Sequence, residues 1–129
     1  MNYLKDEIDE ALKALALRSR KLEPDEVEIL IHSLTKKFFK SESHVLDPVE
    51  INEKHTEHNS NFWQEIQYCI DRKNLIFLVF DSTYGAWEID NARDITSILG
   101  ETTGYPFWVT DINLTFLVHM DDHDCVIWA

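Results

Sequence analysis

The hydrophobic period of this chain changes at Asn74, and that change decides which folds are open to it. Before it, apolar residues recur at helical spacing. Leu4, Ile8, Ala11, Leu12 and Leu15 predict a first helix over residues 2–18, with acids early and Arg18 and Arg20 late, as the helix dipole favours. Pro24, a favoured first-turn residue, opens a second helix whose stripe is Val27, Leu30, Ile31, Leu34 and Phe38. Residues 41–58, interrupted by Pro48, predict a long loop or irregular strand. A third helix begins near Asn59 or Ser60 and buries Phe62, Ile66, Cys69 and Ile70.

From Asn74 onward the pattern is that of strands. NLIFLVFD, residues 74–81, is a continuous apolar run of the kind a central strand carries. STYG reads as a turn and AWEI as a shorter strand. DNARDITSILGET reads as a short helix capped by Asp90 or Asn91 and ended by Gly100. PFWVTD, TFLVHM and CVIWA read as three further strands, joined by turns at 111–113 and 121–124. Helices segregated ahead of strands predict an α+β fold, with N-terminal helices packed on a mostly antiparallel sheet of four to five strands. The 129 residues suit a single domain, 1–129, made of a helical part and loop (1–58) and a helix plus sheet (59–129).

Charge is unevenly placed. Residues 1–40 hold eight acids and eight bases; residues 41–129 hold sixteen acids and four bases (Lys54, Arg72, Lys73, Arg93) and so carry the whole net charge of −12. Such a surface repels nucleic acid and anionic lipid and attracts basic proteins. Acids among the first apolar residues argue against a signal peptide, and no apolar run reaches the roughly 18 residues of a membrane span. Cys69 and Cys125 sit in apolar segments, which predicts buried free thiols, a reducing compartment and a cytoplasmic location.

Two groupings could carry chemistry. HMDDHDC, residues 119–125, places His119 and His123 among Asp121, Asp122 and Asp124. Imidazole and carboxylate ligands could hold a zinc-like ion there, but H-x-x-x-H on a hairpin does not align both rings as a helix would. The plain alternative is an Asp-rich turn bonded to its own backbone. The chain has no GxSxG, P-loop or GxGxxG motif. The expectation is therefore a protein that is no enzyme and needs no cofactor. The second grouping is aromatic: STYGAWEID sets Tyr84 and Trp87 beside Asp81, Glu88 and Asp90. Rings among carboxylates suit a surface that receives Arg and Lys side chains.

The cadence of residues 60–129 resembles small bacterial immunity proteins of contact-dependent growth inhibition and other polymorphic-toxin systems: an apolar strand, a strand carrying Trp87, a helix around ITSIL, then PFWVTD and a last hairpin with DDHD. The resemblance implies an antitoxin that binds a cognate basic toxin domain, often a nuclease, as a heterodimer in the bacterial cytoplasm, with no nucleic-acid or membrane partner. Candidate toxin contacts are Asp81, Tyr84, Trp87, Glu88, Asp90, Asp121, Asp122, His123 and Asp124. The alternative is a small metal-binding protein or metal-dependent enzyme using His119, Asp121 and His123.

Overall fold

The computed structural model describes residues 3–52, 54–102 and 104–129. Asn2 of the expected first helix, Glu53 of the expected loop and Thr103 at the end of the expected fourth helix lie outside the described residues. The elements run α1 (Tyr3–Ala14), β1 (Ser19–Lys21), α2 (Pro24–Phe38), a 3-10 turn at Pro48–Glu50, β2 (His55–His58), α3 (Phe62–Cys69), β3 (Lys73–Asp81), β4 (Thr83–Asn91), α4 (Ala92–Glu101), β5 (Phe107–Asp111), β6 (Leu117–Met120) and β7 (Cys125–Trp128). The fold is α+β, as expected. The sheet has seven strands among the described residues, all pairs antiparallel, in the order β1-β4-β3-β5-β6-β7-β2.

The expected four to five strands fall short because the sheet gains both its edges from segments without a strand period. β1 and β2 bury none of their residues, so neither carries an apolar alternation. The first helix also stops earlier than its stripe suggests. Ala16 takes a left-handed φ of 53°, while Ala16 N–H bonds Lys13 O (3.1 Å) and Leu17 N–H bonds Leu12 O (3.0 Å). That is a Schellman ending built on alanine, where glycine is the usual signal.

Helices cover both sides of the sheet. One core combines Ile8 and Leu12 of α1, Phe62 and Ile66 of α3, and Ile95 and Ile98 of α4 with Leu75, Phe77, Val79, Trp87 and Val109. The other combines Val27, Leu30, Ile31 and Leu34 of α2 with Leu46, Ile51, Ile76, Leu78, Ala86 and Trp108. Leu75 to Val79 of β3 are all buried and alternate between the two cores, which is why that run has no polar partner at period two. β4 and β5 flank β3 and both run antiparallel to it, so α4 carries the chain across one face between two parallel strands. Asn91, as expected, caps that helix: its side chain accepts from Asp94 N–H at 3.0 Å. Tyr84 and Gly85, expected in a turn, lie within β4; the hairpin closes at Ser82 alone, between the paired Asp81 and Thr83, with φ of 64°.

The α3 stripe is Phe62, Ile66 and Ile70, spaced by four, so Cys69 falls one position off it. Cys69 is exposed and not buried as the sequence suggested, Cys125 is half-buried, and both are free thiols. Among the described residues, no helix is long and apolar enough to cross a membrane.

Candidate protein-binding end of the sheet

The register sets the turn after β3 and the turn after β6 at one end of the sheet. Asp81 pairs with Thr83 at the tip of one hairpin, Leu78 lies beside Trp108, and Trp108 lies beside His119, one residue before Met120. Both candidate segments therefore reach the same end. With strands about 4.8 Å apart, three spacings separate the two hairpins, or about 14 Å. The other end carries Lys73 and Asn91, eight residues along β3 and about 27 Å away.

Within residues 81–90, most of the candidate contacts are committed inside the fold. Trp87 is 1% exposed, between α1 and the sheet, and its indole N–H donates to Asp9 Oδ1 at 2.9 Å. Its expected place on a docking face is corrected: at its β4 position the side chain points into the core that α1 covers. Asp81 Oδ2 accepts from Leu4 N–H (2.9 Å), so this carboxylate caps the start of α1. Tyr84 is half-buried, and its hydroxyl accepts from Leu46 N–H at 2.9 Å, with burial pushing its pKa up. Glu88 holds Arg20 of β1 through both oxygens, at 3.1 and 2.9 Å, and Arg20 also grips Glu26 at 2.9 and 3.0 Å. Arg20 thereby holds the Glu26 carboxyl below the usual range. Asp90 is exposed at the opposite end, next to Asn91.

Residues 119–124 behave differently. His119 is buried. Its Nδ1–H donates to Phe107 O at 3.0 Å, a tautomer assigned from the carbonyl partner. Its ring lies 4.0 Å from that of Trp108, and burial pushes its pKa down. Asp121 Oδ1 accepts from the N–H groups of His123 (2.8 Å) and Cys125 (2.9 Å). That is the Asx-type turn offered as the plain reading, completed by Asp124 at φ 65°. Asp122 and His123 are exposed at its tip, with the His123 side chain 87% accessible and Nε2 3.7 Å from Asp122 Oδ1. The proposed ligand trio is thus dispersed in role: one ring in the core, one carboxylate on backbone, one ring in solvent.

What the turn does build is one wall of a cleft of about 400 Å³. Asp121, Asp122 and Asp124 line it together with half-buried Trp63 of α3, Tyr105 and Phe107. No lysine or arginine is among the described lining residues. The Tyr105 hydroxyl lies 2.8 Å from Thr102 Oγ1, which itself donates to Ile98 O (3.0 Å), so the phenol is the donor. Burial pushes its pKa to about 12. Trp63 is one of the rings crowding the second half of the sequence, but it is not among the expected contacts, because α3 reads as a core helix. At the other end of the sheet, Arg72, Lys73 and Arg93 line one cavity of about 490 Å³ together with Asp71 and Asn91. Three of the four bases of residues 41–129 therefore gather at the end of the sheet opposite the Asp-rich turn.

No family model, curated protein or solved structure matches the chain.

Proposed function

We propose that this chain is an immunity protein that binds a basic toxin domain, without catalysis of its own, through the end of the sheet formed by the β6–β7 turn and α3. The observation that carries this reading is the cleft lined by Asp121, Asp122, Asp124 and Trp63 with no lysine or arginine among the described lining residues. A lysine or arginine from a partner fits such a place. The ring offers apolar area and a cation–π face, and the carboxylates offer charge-assisted bonds. Exposed Phe80, at 58% accessibility on the neighbouring hairpin, adds an apolar contact at the same end. Separation of the acidic turn from the Arg72–Lys73–Arg93 cluster orients an approaching cationic domain as well as attracting it. The cadence shared with immunity proteins over residues 60–129 points the same way, and a toxin that binds nucleic acid would supply the positive surface. Bacterial cytoplasm is the compartment this reading requires.

Stopped-flow association with the toxin domain encoded beside this chain tests it. The association rate should fall steeply with salt, and Asp122→Lys should slow it by about 10-fold at low ionic strength. Rates indifferent to both salt and Asp122→Lys would overturn the reading.

A further inference from the structure

A second grouping of ligating side chains lies away from the acidic turn, on the α2 side of the sheet. Glu28 and His32 are four apart on α2 and so share one face of the helix. His44 comes to the same place from the segment that follows it. Fully buried Thr35 anchors that segment: its Oγ1 accepts from Ser43 N–H at 3.1 Å. Two residues after His44, Leu46 N–H donates to the Tyr84 hydroxyl. His44 is thus held between two fixed backbone points and is not carried on a free loop.

One ligand atom from each of Glu28, His32 and His44 lies within 4.8 Å of the other two, and this is the one such trio of His, Cys, Asp or Glu among the described residues. His32 Nε2 and His44 Nδ1 are 3.0 Å apart, with the rings perpendicular. Ligands bound to zinc at about 2.0–2.2 Å in tetrahedral geometry sit roughly 3.4 Å from one another, so an ion takes the place of the proton that these two hydrogen-bonded nitrogens share and parts them by a few tenths of an ångström. On its far side, His32 turns Nδ1 toward Glu42 Oε1 at 3.6 Å. That distance is longer than a hydrogen bond, but it places Glu42 where, on closing by a few tenths of an ångström, its carboxylate would orient the ring of a ligating histidine so that Nε2 faces the metal. Glu28, His32 and His44 line a cleft of about 650 Å³ that also takes in Val27, Ile31 and Tyr84. Of the two lysines on its wall, Lys5 donates to Thr83, which lines the same cleft, and Lys21 pairs with Asp9.

We infer that Glu28, His32 and His44 form a binding site for a divalent transition metal of the zinc type, with Glu42 orienting His32 and the remaining coordination position open to the cleft. Two imidazoles and one carboxylate are a donor set that suits Zn²⁺ and leaves a position for water or for a ligand atom. The site ties α2 to the 41–47 segment, a link distinct from the proposed toxin contacts.

The test uses the full chain without an affinity tag, stripped with a chelator and titrated with ZnCl₂ by calorimetry, and with CoCl₂ followed by visible absorption. One equivalent of zinc and a tetrahedral cobalt spectrum are expected. His32→Ala and His44→Ala should each weaken zinc binding by more than about 100-fold, and Glu42→Gln by about 10-fold, the low end for loss of an outer partner. His123→Ala and the His55→Ala/His58→Ala pair should leave it unchanged. Because Glu28, His32 and His44 are not in the core, circular dichroism should show the variants folded. Absence of stoichiometric uptake by the parent chain, or uptake that survives His32→Ala/His44→Ala together, would overturn the assignment.

Discussion

Residues 81–90 and 119–125 are alike as strings: both mix carboxylates with rings around a hairpin. Folded, they diverge. The first segment spends its polar groups on the protein itself. Asp81 caps α1, Tyr84 holds the backbone of Leu46, Glu88 holds Arg20, and Trp87 is buried with its N–H on Asp9. The second uses only Asp121 and His119 internally and leaves Asp122 and His123 at the tip, above a cleft walled by carboxylates. The difference follows from position in the sheet. β4 lies between β1 and β3 and is covered by α1 on one face, so its side chains meet other elements. The turn of 121–124 projects past Met120 and Val126, the last β6–β7 pair, where α3, α4 and Asn59, whose N–H bonds Asp124 O at 2.9 Å, approach it.

That contrast can be broken by substitution. Trp87→Ala should cost the most, about 3–5 kcal/mol by chemical denaturation, because it empties a core position and strips Asp9 of a donor. A loss under about 1 kcal/mol would return Trp87 to the list of free contact residues. Asp121→Ala should cost about 1–3 kcal/mol, since two turn N–H groups lose their acceptor. Urea denaturation that leaves the midpoint unmoved would show the turn to be indifferent to it. Tyr84→Phe should cost about 1 kcal/mol through the unpaired Leu46 N–H, and amide exchange at Leu46 should accelerate. Smallest is Asp122→Ala, expected to shift stability by no more than about 0.5 kcal/mol in either direction. Were it to destabilise as much as Asp121→Ala, the division between structural and free carboxylates would fail.

The fold was legible where side chains had to be buried and illegible where they did not. Leu75–Val79, Phe107–Thr110 and the Asn91 cap announce themselves because a buried strand needs apolar residues and a helix start needs an acceptor. Ser19–Lys21 and His55–His58 contribute only backbone to the sheet, so their sequences carry no trace of the pairing. The placement of α2 opposite the other helices was equally hidden, since an apolar stripe states that a face is covered but not by what. At the candidate site the Asx turn was readable from three aspartates in a row of seven residues, whereas Trp63 came to it from 58 residues upstream of Asp121. Glu28 and His32 share a helical face in the sequence itself; His44 joins them only through the anchors at Thr35 and Tyr84.

The two outermost strands have a further consequence. An open sheet of seven strands offers two rows of unpaired amide and carbonyl groups onto which another copy of the chain could zip. Here those rows are three and four residues long, SRK on one margin and HTEH on the other, with Arg20 and Lys21 pinned by carboxylates. Strips so short, and so rich in charge and imidazole, give a growing filament almost no template for joining sheets edge to edge.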